Sequence, residues 1–395
     1  MLFDPAAQEP LTDRAWHEAT VRGAVAEIVA DAERTFHPER LWPAHPLDEV
    51  DDSERLTSLY LGASGVVWAL DRLARLGAVE LEREWGQVAA TLPARYVAQP
   101  DLEEELGGRI PSLLLGEAGI LVVAHGFEAT PQLEQRLLEV VRGNARNATR
   151  ELLWGSPGTM LCAQVLWERT GDPAWREAWQ ESADWLWDEW RDGVWRQKMY
   201  GRTCTILGPA HGLAGNALVL ARGDLLDDDR RAELERRAIE TLSRHAIRDD
   251  GLAQWPPSLE EAERPEKWRA QWCHGAPGIV SSLAGLARGD DEWTNLLEAG
   301  GELTWRAGPL AKGAGLCHGT GGNGYAFLKL FERTGDERWL ERARCFAMHA
   351  IEQVDRGRSA YGRGRYTLYT GDVGTALYLQ SCLDAVAAFP TIDVF

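Results

Sequence analysis

The chain is poor in positive charge. Its 395 residues include 42 Lys and Arg against 61 Asp and Glu, which gives a formal net charge of −19, and no long basic run occurs. A surface that binds nucleic acid regardless of sequence needs clustered Lys and Arg to displace counterions from phosphates. The composition therefore argues against a nucleic-acid partner.

The chain also lacks the usual signals of membrane insertion, secretion and disulfide stapling. No stretch approaches the roughly 18 apolar residues of a membrane span, and the N-terminus has neither a basic segment nor an apolar one of the signal-peptide type. The six cysteines are widely spaced, and a chain of this length does not need disulfides to hold its core. We therefore predict reduced cysteines, no membrane span and a cytoplasmic location.

What the chain does contain is a recurring glycine pair. A Gly-x-x-Gly element occurs seven times, each time followed by an apolar stretch with helical spacing. The first glycines of the seven copies are Gly62, Gly116, Gly155, Gly212, Gly275, Gly319 and Gly371. Charged amphipathic segments, such as residues 229–247, lie between the copies. Each unit therefore predicts one apolar helix and one polar-faced helix.

These units predict an all-α fold. Strand signals are scarce, although Asp192-Gly193 and Asp250-Gly251 suit local turns, and the 18 tryptophans suit wedging between packed helices. Small residues at the helix entries and the lack of polar capping units favour a closed ring over an open solenoid. We predict a single-domain α/α toroid (barrel) of about seven inner and seven outer helices, with residues 1–56 as an N-terminal helical segment packed on a toroid of residues 57–395. The glycine pairs would make tight turns at the inner-helix starts and leave free N–H groups at the mouth of the ring.

Three histidines share one position in the repeat, directly before the first glycine: His211, His274 and His318. Two of these copies carry a cysteine one position earlier, Cys273 and Cys317. In a closed ring they converge on one mouth, where two thiolates and one imidazole would hold Zn²⁺ with an open fourth position, as a catalytic site requires. The alternative is that the cysteines are small buried hydrophobic residues and the histidines are helix caps. The shared register of two Cys-His-Gly tripeptides favours the metal site.

Three segments that carry these residues resemble the lanthionine synthetase C-like family. They are GPAHGLAGNA from Gly208, WCHGAPGI from Trp272 and GLCHGTGGNGYAFL from Gly315, and the resemblance extends from about Thr57 to the end of the chain. This family includes the cyclases of lanthipeptide biosynthesis and eukaryotic glutathione-binding homologues. The resemblance implies an α/α toroid and Zn²⁺ bound by Cys273, Cys317 and His318.

The resemblance also implies roles for five further residues. His211 and His274 would act as acid and base, although cyclases carry Tyr at the position of His274. Arg269 matches a basic position of the cyclases and would hold an enolate oxygen or His274; an ordinary surface arginine is the alternative. Glu151 stands where nisin-type cyclases have an aspartate and would orient His211; a solvated charge on a helix surface is the alternative. Lys312 matches a lysine of the glutathione-binding members and would bind an acidic substrate or stabilise a thiolate.

The implied activity is zinc-dependent addition of a thiol to dehydroalanine or dehydrobutyrine in a peptide or protein, which forms a lanthionine-type thioether. The thiol would be a peptide cysteine, or glutathione or another low-molecular-weight thiol. No dehydratase domain fits into residues 1–56, so a cyclase of this kind would need a separate dehydratase. The alternative function is a non-catalytic scaffold that binds zinc and glutathione.

Two further expectations concern carboxylates and the rim of the site. A glycoside hydrolase would need two carboxylates, for which Glu117, Glu151 and Asp372 are candidates, but it has no use for paired Cys-His motifs. The Pro- and Glu-rich segment Trp255–Trp268 precedes Cys273 and is predicted to form a lid or a substrate edge.

Overall fold

The computed structural model describes residues 2–51, 55–199 and 201–395. Within these ranges the chain forms fifteen α-helices, four 3₁₀ helices and four short strands. The α-helices are α1 Glu18–Thr35, α2 Ala63–Arg75, α3 Gly86–Ala98, α4 Glu103–Leu106, α5 Glu117–Phe127, α6 Pro131–Asn144, α7 Ser156–Thr170, α8 Pro173–Glu189, α9 Leu213–Ala221, α10 Asp228–His245, α11 Ala276–Leu283, α12 Asp291–Ala307, α13 Thr320–Thr334, α14 Glu337–Tyr361 and α15 Asp372–Asp384. The 3₁₀ helices span Pro5–Ala7, Pro46–Asp48, Leu259–Glu261 and Pro265–Lys267, and the strands are β1 Gln197–Met199, β2 Arg202–Cys204, β3 Ile247–Asp249 and β4 Leu252–Gln254.

In the part of the chain that the structure describes, seven α-helices form a closed inner ring. Each packs on the next in the order α2, α5, α7, α9, α11, α13 and α15, and α15 packs back on α2. Helices α1, α3, α6, α8, α10, α12 and α14 form the outer layer, in which α1 packs against both α14 and α15. The predicted all-α toroid is therefore confirmed. The division of the chain at residue 57 stays a prediction.

The two layers differ in how they bury their side chains. In α5 every residue of the range 117–125 is buried, whereas α10 buries only Leu234, Ala238, Thr241 and Leu242. Those four positions lie on one face of the helix, and its other faces carry charged residues. No helix in the described ranges is both long enough and apolar enough to cross a membrane.

Tryptophan is prominent among the large buried side chains of the described residues. Those that are essentially inaccessible to solvent are Trp85, Trp175, Trp179, Trp195, Trp255, Trp293 and Trp339. Three of the outer helices, α8, α12 and α14, carry four of them. The prediction that tryptophans fill the space between packed helices is confirmed.

The helix starts explain the repeated glycines. Four outer helices begin at an aspartate whose side chain accepts a hydrogen bond from the first turn: Asp172, Asp227, Asp290 and Asp336. Every inner helix begins instead at the first glycine of a pair, without a side-chain cap. At the second glycine of each pair, a Cβ would collide with the carbonyl oxygen six residues earlier. Glycine is needed there because the preceding loop folds tightly over the helix start.

The first-turn N–H groups of most inner helices are already used. In α2 the N–H groups of Ala63 and Ser64 donate to the carbonyls of Leu56 and Thr57, at 3.0 and 3.1 Å. Bonds of the same kind occur at the starts of α5, α9, α13 and α15. The expectation of free N–H groups at the mouth is wrong for these five helices, because carbonyls of the preceding loop accept from them.

Backbone hydrogen bonds join several of the loops that precede the inner helices. In each of these bonds, the donor and the acceptor are the residues two positions before the first glycine of their loops. The N–H of Cys273 donates to the carbonyl of Cys317 at 3.1 Å, and that of Cys317 to Tyr369 at 2.8 Å. The N–H of Tyr369 donates to Tyr60 at 3.3 Å, and that of Tyr60 to Leu114 at 2.8 Å. We call these five residues the mouth belt. It holds five loops around one opening of the toroid.

The short strands form two hairpins that the sparse strand signals did not predict. β1 pairs with β2 and β3 with β4, both antiparallel. Asp250 and Gly251 join β3 to β4 with φ values of 48° and 75°, which is the geometry of a two-residue hairpin turn. The predicted turn at this position is confirmed.

Candidate metal centre and catalytic site

The predicted metal ligands meet at the mouth of the toroid. The Sγ atoms of Cys273 and Cys317 and a ring nitrogen of His318 all lie within 4.8 Å of one another. They come from the loops before α11 and α13, which the mouth belt joins directly. Two sulfur donors and one nitrogen donor can hold a metal ion and leave the fourth position of a tetrahedral site for a substrate.

The thiols of Cys273 and Cys317 differ in pKa. Hydrogen bonding to Cys273, His318 and Tyr60 lowers the pKa of the Cys317 thiol well below its usual value. The pKa of Cys273 is raised in turn, by its hydrogen bond with Cys317 and by burial. A second thiolate beside the first is therefore unfavourable unless a cation is present, and a metal ion would supply that cation.

Two polar residues that the sequence analysis missed lie beside the sulfur atoms. Nε2 of Gln271 donates a hydrogen bond to Sγ of Cys273 at 2.9 Å, and Tyr60 is close enough to Cys317 to lower the pKa of that thiol. Burial and the neighbouring Cys317 raise the pKa of Tyr60, so its hydroxyl stays protonated and can donate. Tyr60 occupies the same repeat position as the two cysteines, which is a signal the sequence contained; Gln271 has none.

Glu151 holds His211 in place. Its carboxylate accepts hydrogen bonds from Nδ1 of His211 at 2.7 Å and from the N–H groups of Leu153 and Trp154 at 3.0 and 2.6 Å. Glu151 is 0% exposed and lies in the loop before α7. The alternative of a solvated helix charge is therefore wrong, and the carboxylate fixes the orientation of the imidazole.

His274 lies beside His211, with ring centroids 5.9 Å apart. Burial, with smaller electrostatic contributions from the neighbouring His211 and Arg269 side chains, lowers the pKa of His274 to about 3, so its ring is neutral at pH 7. Its Nδ1 atom is buried without a hydrogen-bond partner among the described residues. Buried polar atoms usually have a hydrogen-bond partner, so this unpaired nitrogen next to Cys273 is an unusual feature of the site.

Arg269 is near the site but is partly engaged elsewhere. It is close enough to contribute to the lowered pKa of His274. Its Nη1 donates to the backbone carbonyls of Glu266 and Trp268, both at 3.1 Å. The guanidinium is therefore anchored to the loop that precedes Cys273.

Lys312 is exposed at the edge of the mouth. Its positive charge acts to lower the pKa of Cys273, against the larger effects of Cys317 and burial. Lys312 lines a small cavity of about 50 Å³. The other charged side chains of that cavity's lining are those of Arg358, Arg363, Arg365 and Asp372. Arg358 is paired with Asp372 and Arg365 with Asp48, so part of this positive charge is already compensated.

The segment Trp255–Trp268 is tied to neighbouring elements in its first half. The indole N–H of Trp255 donates to the carbonyl of Leu242 at 2.8 Å, and the N–H of Leu259 donates to the carbonyl of Thr205 at 2.9 Å. The indole N–H of Trp268 donates to the carbonyl of Glu261 within the segment at 3.2 Å. The segment also contains two 3₁₀ helices. These hydrogen bonds hold the segment in place. Its role as a lid or substrate edge stays a prediction.

The three carboxylates considered for a glycoside hydrolase all have partners. Glu117 is paired with Arg136 at 2.7 Å, Asp372 with Arg358 at 3.3 Å, and Glu151 with its histidine. Each of these three carboxylates is therefore held by a basic side chain.

The remaining four cysteines are separate from the centre. Cys162, Cys204 and Cys382 are buried, and Cys345 is half-buried. All six cysteines lie in the described ranges and are free of disulfides, as predicted.

Comparison with solved structures finds the same fold in nisin cyclase. The two structures superpose with a TM-score of 0.61 at 17% sequence identity, over 92% of this chain and 94% of the other. At this identity the match shows a shared toroid fold.

Comparison with known sequences identifies the family. The chain is 30% identical over 204 residues to "Glutathione S-transferase LANCL1" of Danio rerio, which covers 51% of this chain and 47% of that protein. It is 33% identical over 197 residues to "LanC-like protein GCL1" of Arabidopsis thaliana, which covers 47% of this chain and 43% of that protein. The matched region spans a little under half the length of these relatives. The family profile described as "Lanthionine synthetase C-like protein" matches residues 53–394, and the chain therefore belongs to the lanthionine synthetase C-like family.

Proposed function

We propose that the chain is a zinc-dependent enzyme that adds a thiol to dehydroalanine or dehydrobutyrine in a peptide or protein and so forms a lanthionine-type thioether. The observation that carries this proposal is the convergence of Cys273, Cys317 and His318, with His274 and the oriented His211 next to them. A metal-binding donor set and two further imidazoles at one opening suit a reaction that needs both an activated thiol and a proton carrier.

Zn²⁺ fits the residues present. Two thiolates and one imidazole are ligands that zinc accepts, and three protein ligands leave a position for a substrate. When bound, Zn²⁺ lowers the pKa of a coordinated thiol and thereby supplies a thiolate at neutral pH.

The other residues of the site would carry out the proton transfers of the reaction. The substrate sulfur forms a bond to the β-carbon of the dehydroamino acid, the π electrons move towards the carbonyl, and the α-carbon takes up a proton that replaces the one lost by the thiol. An imidazole can accept the thiol proton and deliver one to the α-carbon. We assign this work to His211, held by Glu151, and to His274. The positive charge of Arg269 near His274 favours the developing enolate oxygen.

The exposed positive charge of Lys312 supports an anionic thiol as the donor. It suits a carboxylate of glutathione or a similar low-molecular-weight thiol. The name of the LANCL1 relative agrees with this choice. A cysteine within the dehydrated peptide is the other candidate donor, and the shared fold with nisin cyclase favours it. Since the reaction needs reduced thiols, we retain the cytoplasm as the proposed location.

The test is thioether formation by the purified zinc-loaded protein. A dehydroalanine peptide is incubated with glutathione, and in parallel a peptide that contains both dehydroalanine and an internal cysteine is incubated alone. Mass spectrometry with thiol-blocking reports which thiol has been consumed. Product above the uncatalysed rate supports the proposal and identifies the donor. A protein that binds zinc and glutathione but forms no thioether with either substrate would instead be the non-catalytic scaffold.

A further inference from the structure

The proposed reaction brings three sulfur atoms to one electrophile. Two belong to Cys273 and Cys317, which are ligands, and the third belongs to the substrate. A C–S bond formed at either cysteine would destroy the metal site. Something must therefore make the two protein sulfurs poorer nucleophiles than the substrate sulfur.

The backbone around Cys273 positions the side-chain amide of Gln271 to donate a hydrogen bond to Sγ of Cys273. The N–H of Gln271 donates to the carbonyl of His274 at 3.1 Å, and the N–H of His274 donates back at 3.0 Å, so a tight turn encloses Cys273. The Gln271 side chain is only 8% exposed. Its Nε2 lies 2.9 Å from Sγ of Cys273. A buried amide on such a turn has little freedom to point elsewhere.

We propose that Gln271 is a positioning residue that suppresses the nucleophilicity of Cys273 by donating a hydrogen bond to its sulfur atom, and so helps to direct the addition to the substrate sulfur. A sulfur that accepts a hydrogen bond has less electron density to offer, and it must weaken that bond to attack carbon. This inference rests on the proposed function for its biological purpose, but its physical content concerns the bond between Gln271 and Cys273 alone.

The experiment measures the alkylation of each cysteine in zinc-loaded protein. Iodoacetamide forms a C–S bond and releases iodide, and peptide mapping by mass spectrometry gives separate rates for Cys273 and Cys317. Gln271→Met keeps the side-chain length without the donor. We expect about tenfold faster alkylation of Cys273 in this variant, equivalent to about 1.4 kcal/mol. The alkylation rate of Cys317 should not change and is the internal control.

A spectroscopic readout separates this effect from a loosened structure. With Co²⁺ in place of zinc, the thiolate-to-metal charge-transfer band should move to lower energy in the Gln271→Met variant, because a sulfur without its donor is more electron-rich. A wild-type alkylation rate at Cys273 in this variant would overturn the inference. So would equal acceleration at both cysteines accompanied by loss of zinc, which would show a purely structural role. Neither measurement uses a dehydroamino acid, so failure of the proposed reaction would be recognised separately.

Discussion

Replacing Glu151 by glutamine tests whether the orientation of His211 matters for the proposed reaction. Three donors converge on this carboxylate: Nδ1 of His211 and the N–H groups of Leu153 and Trp154, at 2.6–3.0 Å. Glutamine offers one acceptor oxygen and turns an NH₂ group towards at least one donor. A hydrogen bond to a charged acceptor contributes about 1.5–3 kcal/mol, so a lost bond to His211 corresponds to about a 10- to 150-fold lower rate. Zinc binding should not change, because Glu151 is not among the metal ligands.

Three measurements are needed: the rate of thioether formation by mass spectrometry, zinc per chain by elemental analysis, and the free energy of unfolding in urea. Glu117→Gln is the matched control. Glu117 is also a buried carboxylate next to a glycine pair, but Arg136 holds it at 2.7 and 2.8 Å. This variant should lose stability and keep its rate. An unchanged rate in Glu151→Gln, or an equal loss in Glu117→Gln, would refute the assigned role of Glu151.

Three further predictions follow from the site and its surroundings. The wild type should contain one zinc per chain by elemental analysis, and Cys317→Ala should contain none, whereas Cys162→Ala should keep it because Cys162 is buried away from the centre. His211→Asn should keep zinc but form thioether at least about 100-fold more slowly, since general acid–base catalysis contributes about that much. Burial raises the pKa of Asp372 to about 6 in the folded state, against about 3.9 unfolded, so its proton is bound more tightly when the chain is folded. This proton therefore stabilises the fold fully below about pH 4, and about 3 kcal/mol of stability is lost as the pH rises through 6. Asp372→Asn should remove this part of the pH dependence of the free energy of unfolding in urea. An identical pH profile in the wild type and the variant would contradict the prediction.

The ring and the metal ligands could be predicted because both follow the repeat register. A glycine pair is needed wherever a loop folds over an inner-helix start, so its recurrence marked all seven inner helices. In a closed ring, residues at the same repeat position lie at the same level along the ring axis. For that reason Cys273, Cys317 and His318 could be placed together although 45 residues separate the first from the last.

The surroundings of the ligands could not be predicted in the same way. Glu151 reaches His211 because two adjacent loops run side by side, with the N–H of Leu153 bonded to the carbonyl of Ala210 at 3.1 Å. Such a contact depends on loop paths rather than on periodicity, and so does the bond from Gln271 to Cys273. The two hairpins escaped prediction for a related reason, since three-residue strands are too short to show alternation.

The mouth belt implies that metal binding and folding can be separated. The belt uses only backbone atoms, so its bonds do not depend on which side chain stands at each position. Ala210 occupies the same repeat position and still accepts a hydrogen bond from a neighbouring loop, which shows that alanine is compatible with this backbone. Cys273→Ala should therefore fold with a free energy of unfolding within about 1 kcal/mol of the metal-free wild type, because only one small buried group is lost. Zinc should stabilise the wild type and have no such effect on the variant. A metal-free Cys273→Ala chain that does not fold would mean that the thiol contacts, rather than the backbone bonds, hold the mouth together.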